Sequence, residues 1–170
     1  MIHNHSTTRR AMTVAERDVA KDDDRTQHVR LVFAIHRLEA CLGQAAPGRE
    51  TEWQQEVNRA LDLLLAAMKE SRECVQRDDG LIEEIKLEKP YLLKRIKNLR
   101  AEFDGLFNQA AALQDQMKDA SDKDSSETQQ IGFADLRQRM SWLLSALRHH
   151  QAKEADLVYE AFNVDIGVGD

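Results

Sequence analysis

Between residues 92 and 117 an apolar side chain recurs every three or four positions: Leu92, Ile96, Leu99, Phe103, Leu106, Ala110, Leu113 and Met117. Side chains at this spacing share one face of an α-helix, whereas in a strand they would alternate between faces. A stripe of about seven turns is an amphipathic helix that needs a partner surface to cover it. The same spacing appears three more times. His28, Leu31, Ile35, Leu38 and Leu42 mark a helix from about Thr26 to Cys41 that stops near Gly43. Trp53, Val57, Ala60 or Leu61, Leu64, Met68, Arg72 and Val75 mark one that follows "APGRETEW" and runs to about Arg77. Phe133, Leu136, Met140, Leu143, Leu147, His150, Glu154, Leu157 and Ala161 mark one from about Gln130 to Phe162, and the stripe above belongs to a helix from about Pro90 to Lys118. Four such helices with polar connections predict an all-α, antiparallel up-down four-helix bundle.

The composition agrees. Only 7 of the 170 residues are Gly and 2 are Pro, too few for the turns of a sheet protein, and 32% are charged. Residues 1–24 are polar with scattered apolar positions and read as a mostly disordered arm, with "DVAKDDDRT" supplying caps for a helix starting near Arg25. The bundle is expected over residues 25–163 and a tail over 164–170. "RDDGLIEEIKLEKP" reads as a link with a short helical turn, and "DASDKDSSETQQ" as a mobile loop.

A net charge of −6 without a basic, aromatic-bearing cluster argues against nucleic acid as a partner. No stretch of about 18 apolar residues is present to span a membrane, and no apolar leader opens the chain, so a cytoplasmic location is expected. Cys41 and Cys74 form no CxxC and read as small reduced side chains. Trp53 and Trp142 are expected to anchor core, His36 to sit at its boundary, and His149 to face solvent.

Several polar residues fall on the apolar stripes. His28 lies on the first, Arg72 on the second with Gln76 one turn on, and His150 and Glu154 on the fourth. Burying such groups without partners costs roughly 1–3 kcal/mol each, and more for a charge, so they are expected to meet. The core of a helix bundle is also where side-chain metal sites are built.

The segment "HHQAKEADLVYEAFNVDIGVGD" resembles the last helix and tail of bacterial hemerythrin-like (HHE) domain proteins, which tend to read His-Glu-x-x-Glu-Asn, then Leu-Leu-x-Glu-Ala-Phe-Asn, then an Asp-Ile-Gly tail. "DGLIEEIKLEKPYLLKRIKNLRAEFDGL" resembles their link into the third helix, and "QHVRLVFAIHRLEACL" their first helix, so the likeness spans about residues 26–170. The resemblance implies a di-iron bundle. It aligns His28, His150 and Glu154 with metal ligands, but places Arg72 and Gln76 where the second helix would offer His and Glu, Phe103 after Glu102 where the third would offer Glu-His, and Gln151 where a Glu usually follows the last histidine.

Three surviving ligands are too few for two irons, and a permanent guanidinium would repel a cation. The leading expectation is therefore a metal-free polar cluster of Arg72, Gln76, His28, His150 and Glu154, in which Arg72 replaces the cation and pairs with Glu154. The cofactor is then expected to be none; the alternative is a single Fe or Zn on His28, His150 and Glu154, which would make the chain an iron or oxygen sensor or carrier. A more remote alternative reads "HQAK", His150 to Lys153, as the His-x-x-Lys of a histidine-phosphotransfer bundle, though Glu154 stands where that motif has glycine. No nucleophile with a base, phosphate loop or catalytic carboxylate pair is visible, so the chain is expected not to be an enzyme but an interaction or regulatory module for an unidentified protein partner.

Overall fold

A computed structural model describes residues 14–44, 47–77, 89–121 and 132–163. They form four helices, α1 (Val14–Leu42), α2 (Glu50–Arg77), α3 (Leu92–Ser121) and α4 (Phe133–Asn163), and no strand occurs among them. The expected turn in "DGLIEEI", the polar loop after Ser121 and the tail from residue 164 lie outside the described residues, as do residues 1–13.

The helix ends follow from local chemistry. At the end of α1 the Gly43 amide donates to the Glu39 carbonyl (3.0 Å) and Gln44 to Cys41 (3.3 Å), a tightened last turn. Gly48 turns the chain with φ of 75°, the left-handed region open to glycine, and its amide donates to the Glu50 carboxylate (3.0 Å) at the start of α2. Backbone amides of Glu50 and Gly48 hold the Glu50 carboxyl below its usual range. One boundary departs from the sequence reading: α1 begins at Val14 rather than near Thr26, so residues 14–24 of the expected disordered arm are helical and the expected aspartate caps are interior. No glycine or proline interrupts 14–42, and an Asp inside a helix costs under ~1 kcal/mol, too little to stop it.

Each helix packs on its chain neighbours, and α4 packs back on α1. Contacts between neighbours pair rising residue numbers with falling ones, the order produced by helices running in opposite senses. On α1 and α2, Trp53 Nε1–H donates to the Cys41 carbonyl at 3.0 Å while Arg30 holds Glu70 at 2.9 Å. On α2 and α3, Gln54 reaches Met117, Gln114 reaches Asp62 and Arg72 reaches Asp104. On α3 and α4, Glu102 meets Lys153 and Arg95 meets Glu160. On α4 and α1, Arg148 holds Glu39 and Arg137 reaches the Gln44 carbonyl.

The core is the four stripes brought face to face. Leu38, Leu61, Leu64, Met68, Met117, Leu136, Met140 and Leu147 are essentially inaccessible to solvent. Cys41 is buried among them, and burial pushes its thiol up. Trp53 is buried as expected, but Trp142 is 70% exposed. It lies next to Leu143 in sequence, hence about 100° around the helix from the buried line, and does not anchor core.

Candidate functional site: a buried histidine between two carboxylates

The buried line of α4 runs Leu136, Met140, Leu143, Leu147 and then reaches a polar residue, His150, only 1% exposed. Both edges of its ring meet acid. Nδ1 lies 3.4 Å from Oε1 of Glu102 on α3, and Nε2 lies 3.2 Å from Oε1 of Glu154, one turn further along α4. The Glu154 contact is close but off the hydrogen-bond axis, leaving Nε2 without an aligned partner. Glu102 is shared: its Oε2 accepts from Lys153 Nζ at 2.8 Å. The Phe103 ring covers the imidazole at 5.3 Å between centroids and a 30° tilt.

Burial by itself disfavours the imidazolium, but the Glu154 carboxylate beside Nε2, followed by the Glu102 carboxylate beside Nδ1, outweighs it, and the His150 pKa is raised above 6.5. Glu102 is held below the usual glutamate value, first by the Lys153 ammonium and, against its desolvation, by His150. An imidazolium donates from both nitrogens, which suits a ring with an acid at each edge. The cluster is therefore a run of alternating charge, Lys153, Glu102, His150, Glu154, across the α3–α4 seam.

The sign of the resulting pH dependence follows by linkage. A histidine whose folded pKa is raised stabilises fully below its unfolded value near 6.5, and that contribution is lost as pH rises through the folded value. Glu102 acts oppositely: its contribution is present above 4.5 and is lost as pH falls through its lowered folded value. Urea unfolding at about pH 6 and about pH 9 is expected to show wild-type stability falling with pH. In His150→Gln that fall should be smaller; an equal fall would remove His150 as its source.

Of the residues singled out from sequence, only His150 and Glu154 come together as expected. His28 is exposed, and Gln27 takes the buried position at 8% exposure. Measured from Leu38 at about 100° per residue, Gln27 lies about 20° from the centre of the α1 stripe and His28 about 80°. Ile35, at about 60°, is still covered because it sits further inside the bundle.

Arg72 stands in the same relation to α2, about 80° from Leu64. Instead of pairing with Glu154 it reaches across to Asp104 of α3 at 2.9 Å and lies over the Phe107 ring at 5.6 Å. The expected replacement of a cation by Arg72 is therefore corrected: it is a seam residue of α2 and α3. Gln76 lies in the last turn of α2 with its side chain outside the described residues. Because the Arg72 and Asp104 side chains are 39% and 48% exposed, Arg72→Ala is expected to cost no more than about 1 kcal/mol in a denaturant melt. A loss of several kcal/mol would show that the seam is more deeply buried than these contacts imply.

Two members of the cluster were missed as members, Glu102 and Lys153. Glu102 is three residues after Leu99 and four before Leu106, so it shares the buried face of α3 with Phe103, and that spacing was the signal available. Lys153 has no such signal, since on the sequence it stands out only within "HQAK". The arrangement does not fit a di-iron centre: one imidazole and two carboxylates converge, the carboxylates face opposite ring edges, and an ammonium already occupies Glu102. Among the described residues, no three His, Cys, Asp or Glu side chains group as metal ligands. No described helix is long and apolar enough to cross a membrane. In comparisons with known proteins, no family model, no curated protein and no solved structure matches this chain.

Proposed function

We propose that this chain is a hemerythrin-like bundle in which protein charges stand where a metal centre would be built, and that it serves as a non-catalytic interaction or regulatory module in the cytoplasm. The observation that carries the reading is His150: a fully buried ring, on the helix whose sequence most resembles that family, held between two acids, one of which is itself neutralised by Lys153. The cation of the cluster is supplied by side chains, so the fold holds its inward acids without an added ion. The reading also draws on the absence, in the sequence, of a nucleophile paired with a base or of a phosphate loop.

Elemental analysis of untagged protein, with a thermal melt in the presence and absence of chelator, tests it. The expected result is substoichiometric iron and zinc and a Tm that neither chelator nor added metal moves. Stoichiometric iron or zinc, with a Tm that falls on chelation, would overturn the reading in favour of a metal-binding sensor or carrier.

A further inference from the structure

The α1–α2 face away from the His150 cluster carries an open groove of about 290 Å³, lined by Arg37, Glu56, Arg59, Ala60 and Leu63. Its charges are unusual for this molecule. Arg30, Arg49, Arg72, Arg95, Arg139 and Arg148 each hold a carboxylate. Among the described residues, neither Arg37 nor Arg59 is engaged by an ion pair or hydrogen bond, and both are exposed. Two free guanidinium groups against one glutamate leave the groove positive, in a chain whose net charge is −6. Its apolar lining is Ala60 and Leu63. Leu63 is 41% exposed and lies one turn after Arg59 on α2; outside the lining, Phe33, 61% exposed, precedes Arg37 by one turn on α1.

We propose that this groove docks an acidic amphipathic helix of a protein partner. Its apolar side chains would lie against Leu63 and, beyond the groove's edge, Phe33, and its carboxylates would take the Arg37 and Arg59 forks, in the helix-in-groove mode of recognition. Guanidinium groups select planar carboxylates over water by paired N–H donation, which sets the partner's chemistry. The proposal deepens the interaction-module reading and rests on it by naming the surface used.

The test is fluorescence anisotropy of the full chain against a fluorescein-labelled helical peptide of Glu, Leu and Ala, acidic on one face. Saturable binding is expected, weakening as salt is raised, and falling at least tenfold in Arg37→Glu/Arg59→Glu and in Phe33→Ser/Leu63→Ser. All four positions are exposed, so circular dichroism melts of these variants should match wild type and separate lost binding from lost fold. The His150→Gln variant should bind as wild type does. No binding, equal binding by a peptide with Gln for Glu, or binding unchanged in the arginine variant would overturn the proposal. Competition by millimolar inorganic phosphate, or binding only to phosphatidylserine vesicles, would overturn it in favour of a phosphate-bearing ligand, and arginine-dependent self-association would overturn it in favour of a second copy. A failed binding curve with metal-free protein sinks the groove alone, whereas stoichiometric metal sinks the broader reading without altering this curve.

Discussion

His150→Ala is expected to lower the free energy of unfolding by roughly 2–4 kcal/mol, read from urea denaturation near pH 6. Three effects add. The fully buried ring leaves a cavity beneath Leu147 in the α4 line. Glu102 and Glu154 lose the positive charge between them and are left facing each other across the gap. Phe103 loses the ring it covers.

His150→Leu separates the packing from the charge. Leucine refills most of the volume, and the Glu102 and Glu154 side chains, 34% and 45% exposed, can turn to water. Glu102 also keeps Lys153. The leucine variant is therefore expected to lose less than about half of what the alanine variant loses. Equal losses in the two variants would mean that charge, and not packing, dominates at this position. A leucine variant more stable than wild type would mean the ring is held at a net cost, as buried ionic groups often are.

Trp53→Ala is the second large effect, at about 3–5 kcal/mol. Trp53 is 3% exposed, its Nε1–H satisfies the Cys41 carbonyl at the end of α1, and the Arg137 guanidinium of α4 lies 5.0 Å from its ring centre. One side chain thus joins three helices at the end of the bundle. Trp53→Phe keeps an apolar ring and the cation–π contact but removes the donor, so it should cost about 1–2 kcal/mol. Intrinsic fluorescence would report the two variants differently from circular dichroism only if unfolding ceased to be two-state, because the exposed Trp142 remains as a probe in both.

These two positions mark how far the sequence could be read. His150 and Trp53 were both assigned inward from spacing alone, because each falls within about 40° of a stripe defined by several leucines, and a stripe averages over register error. Trp142, His28 and Arg72 were misplaced for a common reason. Each lies about 80° or more from its stripe, at an angle where burial depends on what the neighbouring helix puts there. Mid-bundle, Ile35 at about 60° is covered; toward the end of the bundle, His28 at about 80° is not. Arg72 illustrates the other side of the same ambiguity. A flank residue with a long side chain can reach either neighbour, and Asp104 of α3 was the nearer acid.

The sequence by itself determined that this chain is helical, where three of its four helices begin and end to within a few residues, which apolar side chains make the core, and that a histidine would be buried in the last helix. Those properties depend on spacing along one chain, which the 3.6-residue period makes explicit. Only the tertiary structure decided which acids hold His150, that Lys153 and not Arg72 neutralises one of them, and that Arg37 and Arg59 share a groove without partners. Those properties depend on the axial register of one helix against the next. A shift of a single turn, about 5.4 Å, would exchange every cross-helix partner while leaving each stripe unchanged.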